Sequence, residues 1–444
     1  MIEIIFAAND MSAMRRSLVD KPVEGCLVLF ANQTTRRDGT VRLLVQDVYV
    51  PAAEDYSRRA ALEVELTPET VARVSKRARR EHLSLVFVHS HPGDEPPRFS
   101  QIDDQGEQHL AAFLSHRVPG VVHAALVVSA GGVRARKLGS DEMAGVIAIG
   151  EDRRVEFDPV NPTDVTEDRF DRQVRAFGAE GQRALGRLRI AVVGLGGVGA
   201  IVAQQLVHLG VRNFILVDPD VVEVSNLNRL PNARATDVGT PKVRVARRYI
   251  RSIAPDAVVS GISENVVDVD TARKLTDADI IFCCTDSHGS RAILQQIAYQ
   301  YLIPCIDIGT VITASDGVIS HVYGRIQLLA PGLACLTCGE LLDPNQVRSD
   351  MMTAFERQAD PYISGAHVPA PAVISLNGTA ASLAVTMLLS MVTGVPAKAR
   401  HLIYNAISST LRPVRGPPNP TCYICSRSGS FARGDSWPIF GRQD

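Results

Sequence analysis

The residues best suited to chemistry in this 444-residue chain begin with His89-Ser90-His91-Pro92, directly after the apolar run LSLVFV. Residues i and i+2 of a strand point to one side, so both imidazoles can reach one ion. Ser100-x-x-Asp103 follows and adds a carboxylate, with Asp104 as an alternative; the same spacing is also that of a helix capping box. Two histidines and an aspartate leave the fourth position of a tetrahedral ion open to water, the arrangement of a catalytic zinc. Such a water needs a base within reach. Glu24, in KPVEGCLVLF at the mouth of a predicted strand, is the candidate.

Cys335-x-x-Cys338 and Cys422-x-x-Cys425 form a second set. Two such pairs supply four thiolates to a structural zinc with no open position, which would clip the C-terminal segment back onto its domain. Eight cysteines in so long a chain are too few for a disulfide scaffold. Cys283, Cys284 and Cys305 sit in apolar strand contexts that suit packing better than a reactive thiolate.

A third set starts where the strand IAVVG runs into Gly194-Leu195-Gly196-Gly197-Val198-Gly199 and an apolar helix. There bare backbone can approach a phosphate at a helix N-terminus. The next strand, NFILVD, ends in Asp218, where a carboxylate would grip ribose hydroxyls. A dinucleotide pyrophosphate needs few cations, and the downstream residues suit ATP better. Arg229, in Asn226-Leu227-Asn228-Arg229, and Lys242 would neutralise phosphates, and Asp286 at a strand end would hold magnesium. An NAD-dependent oxidoreductase built on the same glycines would leave Arg229, Lys242 and both cysteine pairs unexplained.

These residues require two scaffolds. Up to about residue 150, apolar runs at 26–30, 43–50, 83–88 and 121–128 alternate with one predicted helix at 68–81, implying a mixed sheet with helices packed on it. Residues 151–168, EDRRVEFDPVNPTDVTED, are charged and proline-punctuated and read as a linker or hinge. From Arg169 onward strands and helices alternate at 189–193, 198–209, 213–218, 242–253, 280–284 and 291–301, the rhythm of a doubly wound parallel sheet. The expected α/β chain thus has domains at 1–148 and 168–444, with a linker at 149–167.

Composition narrows the function classes. Hydrophobic residues make 45% and charged residues 21%, as in ordinary globular enzymes. Net charge is -1, with one tryptophan, which excludes a polybasic or base-stacking nucleic-acid binder as the default. Residues 373–395 are nearly uncharged and long enough to cross a bilayer, but Asn377, Thr379, Ser382, Thr386 and Ser390 dilute them. A buried helix and no membrane span are expected. The first residues place charge after a short apolar run, the reverse of a signal peptide, so a cytoplasmic protein is expected.

GLGGVG, LVDPDVVEVSNLNR, VGTPKV and CCTD, in that order, are very similar to the ThiF/MoeB/ubiquitin-activating enzyme superfamily over about 168–426. The resemblance implies an adenylyltransferase that activates the C-terminal glycine of a ubiquitin-like protein with ATP and magnesium. It implies nucleotide binding by Gly194, Gly196, Gly197 and Gly199, ribose binding by Asp218, phosphate binding by Asn226, Arg229 and Lys242, and magnesium binding by Asp286. Arg172, in DRFDRQV, matches the arginine that the family donates across a homodimer. The family shares the four-cysteine zinc. Leu230 departs from the usual glutamine, which implies tuning rather than inactivity. No cysteine lies between Cys338 and Cys422, where thioester-forming members keep a nucleophile, so capture of the adenylate by a thiol of a partner, such as a conjugating enzyme, is expected.

Glu24, His-x-His-Pro and Ser-x-x-Asp together resemble the JAMM/MPN metalloprotease family over about 1–145. That family cleaves isopeptide or peptide bonds after ubiquitin-like C-termini. The resemblance implies His89, His91 and Asp103 as zinc ligands, Glu24 as base and Ser100 as oxyanion donor, although the spacer from His91 to Ser100 is slightly longer than usual. The expectation is a bifunctional enzyme with one catalytic and one structural zinc, acting on a ubiquitin-like or sulfur-carrier β-grasp protein. Two rivals stay open: sulfur-carrier activation in thiamine-, molybdopterin- or cysteine-type biosynthesis, and a scaffold that merely binds ubiquitin-like folds.

Overall fold

The computed structural model describes residues 1–19, 21–61, 63–160, 167–315, 318–359 and 371–443. The chain forms two compact units. One comprises Met1–Thr163, Gln300–Leu302 and Arg427–Pro438; the other comprises Asp164–Tyr299, Ile303–Ser426 and Ile439–Asp444.

The first unit runs β1 (Ile2–Ala7), α1 (Ala8–Leu18), β2 (Cys26–Thr35), β3 (Val41–Tyr49), β4 (Tyr56–Arg59), β5 (Val64–Leu66), α2 (Pro68–Glu81), β6 (Ser84–Ser90), α3 (Gln101–Arg117), β7 (Ala124–Ser129), β8 (Gly132–Lys137), β9 (Met143–Ile149) and β10 (Arg153–Phe157). The main sheet has the order β1-β3-β2-β6-β7-β8-β9-β10, and β1 also pairs with β9, so the sheet closes on itself. Strand alternation gives it two apolar faces. Leu27, Leu29 and Ala31 meet Met11, Met14 and Leu18 of α1, whereas Val28 and Phe30 meet Val74 and Ala78 of α2 and Leu114 of α3. The start of α2 is fixed by Thr67, whose side chain accepts the Thr70 N–H, and by Pro68 in its first turn.

Two features of this unit differ from the sequence expectation. Arg153–Phe157, inside the charged stretch read as a linker, pairs antiparallel with β9 as an edge strand, a position that tolerates charged side chains. Residues 161–166 of that stretch lie outside the described residues. The C-terminal segment also packs on β2 and α1: Asn32 Nδ2 donates to the Ala432 carbonyl at 2.8 Å, Thr34 Oγ1 to Asp435 at 2.7 Å, and Arg427 to Asp10 of α1 at 2.6 Å.

The second unit runs α4 (Asp171–Arg187), β11 (Arg189–Val193), α5 (Gly197–His208), β12 (Asn213–Val217), α6 (Lys242–Ile253), β13 (Val258–Ile262), α7 (Val269–Arg273), β14 (Ile280–Cys283), α8 (His288–Gln300), β15 (Cys305–Ser315), β16 (Val318–Leu329), α9 (Pro344–Met351), α10 (Ala354–Ala359), α11 (Ile374–Val392), β17 (His401–Asn405) and β18 (Thr410–Pro413). Its sheet has the order β13-β12-β11-β14-β15-β16-β17-β18, parallel up to β15 and antiparallel beyond. By length and composition α11 could cross a membrane. Here it packs against α5, β15 and β16 and buries Asn377, Ala380, Ala384 and Leu388.

Candidate functional site

In the first unit the histidines stand at the end of β6 and Glu24 just before β2. Cys26 pairs with His89 across the two strands, and the backbone N–H groups of Gly25 and Ser90 donate to the Ser90 Oγ and the Gly25 carbonyl, each at 3.0 Å. Ser90 points away from its two neighbours, so it staples the Glu24 segment beside the histidines. His89 Nε2 lies 3.1 Å from His91 Nε2 and 3.2 Å from Asp103 Oδ1, while His91 Nε2 lies 3.8 Å from Glu24 Oε1. Donor atoms of His89, His91 and Asp103 all fall within 4.8 Å of one another. Two imidazoles and a carboxylate converging on one point fit a zinc-type ion.

Asp103 reaches that point from the first turn of α3. Its Oδ2 accepts the Ser100 N–H at 2.6 Å, and Ser100 Oγ accepts the Asp103 N–H at 3.2 Å, so both halves of the capping box are made. Asp104 turns instead to Arg136 at 2.7 Å, which leaves Asp103 as the acid beside the histidines. Burial alone would raise Asp103, but hydrogen bonds from His89 and His91 outweigh it and hold the carboxyl well below the usual range. Burial pushes Glu24 up, opposed by the two histidines. Arg136 also grips Glu107 with two bonds of 3.0 Å and stacks on Phe99, whose ring meets His89 edge-on. Sequence reasoning missed Ser90, Glu107 and Arg136. A serine between two histidines was the one available signal.

In the second unit the glycine loop joins β11 to α5. Gly194 has φ +86, and a Cβ at Gly199 would lie 1.8 Å from the Gly194 carbonyl, so the turn closes only with glycine at both positions. Gly197 faces Asn377, whereas Gly196 opens onto free space at the start of α5, whose N-terminus lacks a side-chain cap. Uncapped N–H groups beside bare backbone fit a phosphate. Asp218, buried at the end of β12, accepts the Leu195 N–H at 2.6 Å and the Asp220 N–H at 2.9 Å, so it also fastens the loop. Burial pushes its carboxyl up, opposed by Lys242, whose Nζ lies 3.8 Å from Asp218 and 2.7 Å from Asp220.

Asn226 is buried in a short capping turn, its Oδ1 accepting the Glu223 N–H, and Arg229 donates to the Ser225 carbonyl at 2.6 Å. Leu230 packs with Ala200, Val222 and Val245. Asp286 is exposed beyond β14. Strand order therefore sets Asp218, the glycine loop and Asp286 side by side at the ends of β12, β11 and β14. Arg172 is exposed on the first turn of α4, and among the described residues it meets none of these groups.

Cys335, Cys338, Cys422 and Cys425 converge, with Sγ–Sγ distances of 3.6, 3.6 and 3.5 Å. A disulfide needs about 2.05 Å. A tetrahedral zinc with bonds of about 2.3 Å needs sulfurs about 3.8 Å apart, so the four thiols fit that ion. Backbone N–H groups of Cys338, Ile424 and Asn419 donate to the sulfurs, as thiolates require. Hydrogen bonding from Cys425 pulls the Cys335 thiol below its ordinary value.

Residues 170–424 match the ThiF family, and residues 10–139 match prokaryotic homologs of the JAB domain. The chain belongs to the ThiF family and carries a JAB-like domain at its N-terminal end. The molybdopterin-synthase adenylyltransferase of Escherichia coli K12 is 28% identical over 263 residues, covering 58% of this chain and 96% of its own. The SAMP-activating enzyme E1 of Haloferax volcanii is 29% identical over 268 residues, covering 59% and 90%. Among solved structures, E. coli MccB with ATP covers 60% of this chain and 76% of its own, at 21% identity and TM-score 0.46. The expected fold, a mixed JAB-like domain followed by a Rossmann-like ThiF domain, is the one present.

Proposed function

We propose that the chain is a bifunctional enzyme of a ubiquitin-like or sulfur-carrier system. Its second unit adenylates the terminal glycine of a β-grasp protein, and its first unit cleaves after such a C-terminus. The single observation that carries the reading is the row Asp218, glycine loop and Asp286 across adjacent strand ends, in a chain of the ThiF family. In this reading Asp218 holds the ribose, the loop with Asn226, Arg229 and Lys242 holds the phosphates, and Asp286 holds magnesium. Arg172 completes the site of a partner copy in a homodimer.

Burial pushes the thiols of Cys283, Cys284 and Cys305 up, which supports an enzyme that stops at the acyl-adenylate. A thiol of a partner, on a conjugating enzyme or a sulfur donor, then takes the acyl group. In the first unit His89, His91 and Asp103 hold zinc, which supplies Lewis acidity when bound. Glu24 takes the proton of the attacking water and returns it to the leaving amine, and Ser100 donates to the developing oxyanion. The four-cysteine zinc is structural, and its reduced thiols fit the cytoplasm. Trimming before activation gives the fusion its logic, because a tethered site raises the effective concentration of the freed tail.

ATP–pyrophosphate exchange that depends on a glycine-ended β-grasp protein tests the adenylation half. Exchange lost in Asp286→Ala supports it. Absence of exchange with every such protein, while ATP still binds, supports the scaffold.

A further inference from the structure

The antiparallel end of the second unit's sheet carries a basic cavity that the nucleotide reading does not use. Gly309 pairs with Arg325, Arg325 with Ile403, and Ile403 with Arg412, one row across β15, β16, β17 and β18. Residues directly opposite in a sheet share a face, so both arginine side chains rise on the same side. They line a cavity of 350 Å³ together with Arg291 of α8 and Tyr323. That volume is within the range of small-ligand clefts, about 300–1,000 Å³. The missing side chain of Gly309 makes the room: a Cβ there would lie 3.3 Å from Arg291 Nη2 and 3.7 Å from Arg325 Nη2.

The charge in this cavity is unbalanced. Asp307, fully buried in β15, bonds Arg325 at 2.5 Å but lies 3.5 Å from Arg291 Nε, and among the described residues neither that nitrogen nor Asp307 Oδ1 has a hydrogen-bond partner. Arg412 is exposed on β18. Among the described residues, Asp286 also acts on Arg291, and it is assigned to magnesium above. Arg291 links the two regions, since its Nη2 donates to the Thr285 carbonyl at 3.0 Å, one residue before Asp286. In strand order the cavity continues the line from ribose to phosphate to magnesium, on the side away from Asp218. With neighbouring strands about 4.8 Å apart, β18 lies roughly 24 Å from the glycine-loop strand. The far end of the row therefore lies beyond the glycine loop and Asp286 in strand order.

We propose that Arg291, Arg325 and Arg412 form a carboxylate-recognition subsite that selects an acidic side chain in the peptide tail preceding the terminal glycine. The inference rests on the adenylation reading and adds to it the charge of the substrate's tail. Guanidinium forks match carboxylates in geometry as well as charge, which makes the choice stereochemical rather than a general attraction.

The test uses the full chain and fluorescein-labelled peptides ending in Gly-Gly, with Glu, Gln or Lys placed in turn at each of the preceding positions. Anisotropy is expected to show one position at which Glu binds about tenfold tighter than Gln, and Arg412→Glu is expected to invert that preference toward Lys. Charge-independent binding, a preference that survives Arg412→Glu, no binding at all, or an Arg412→Glu variant that loses ATP affinity instead would each overturn the subsite. Pyrophosphate exchange with glycine-ended β-grasp proteins carrying the same tails reports separately on adenylation. Charge-selective peptide binding, with no exchange by any glycine-ended β-grasp protein, sustains the subsite and sinks the adenylation reading, and exchange without charge selectivity does the reverse.

Discussion

His89 Nε2 lies 3.2 Å from Asp103 Oδ1, a contact that joins the end of β6 to the first turn of α3. The same aspartate closes the capping box with Ser100. Helix start and candidate metal position therefore share one side chain, and a shift of α3 along its axis would carry the capping box with it but draw the carboxylate off His89.

Substitutions at the two capping-box residues separate these roles. Ser100→Ala costs about 1 kcal/mol of stability through the lost cap. It leaves two zinc ions per chain by elemental analysis. Asp103→Ala costs a similar amount and leaves one. Equal zinc content in the two variants contradicts the ligand assignment.

The glycine loop separates shape from binding in the same way. Gly199→Ala drives a methyl into the Gly194 carbonyl and is expected to lower thermal stability by about 3 kcal/mol or more. Gly196→Ala meets open space, so the melting temperature holds while ATP affinity, read by calorimetry, falls about tenfold or more. Unchanged affinity in Gly196→Ala would place the phosphates elsewhere.

Cys422→Ser removes one of four converging thiols. The expected outcome is loss of the structural zinc and of about 3 kcal/mol, seen as a fall in melting temperature of roughly 6–12 °C. Retention of both zinc and melting temperature would refute a structural ion there.

His123 gives the first unit a pH dependence. Its Nδ1 accepts the buried Leu85 N–H at 3.0 Å, and burial holds its pKa below the ordinary value. The unfolded chain binds a proton here that the folded chain refuses, so stability rises with pH. Conversely, it is lost as pH falls from about 6.5 toward the lowered pKa, by at most about 1.4 kcal/mol per pH unit. Melting curves between about pH 7 and pH 5 should show a flatter slope for His123→Gln than for the unaltered chain. Identical slopes would remove His123 from the account.

Local signals in the sequence carried the elements whose rules are local. The helix α2 has the bounds expected for 68–81, as do α6 and β11 for theirs. The three candidate sites were legible because their chemistry needs fixed short spacings, His-x-His, Cys-x-x-Cys and the glycine loop. What escaped depends on distant pairing. Arg153–Phe157 becomes a strand only because β9 offers an edge, and residues 427–438 settle on β2 through Asn32 and Thr34 and on α1 through Asp10. Arg291, Asp307 and Arg325 read as scattered charges until the β15–β16 register and α8 bring them together.

The most direct test of two chemistries on one chain is intact mass spectrometry of a β-grasp protein bearing a short extension after its terminal glycine, incubated with the enzyme, magnesium and ATP. The account predicts a shortened species carrying one adenylyl group, trimming alone with Asp286→Ala, and neither product with Glu24→Gln until a protein already ending in glycine is supplied. Adenylation of the uncut, extended protein, or trimming that persists in Glu24→Gln, would contradict it.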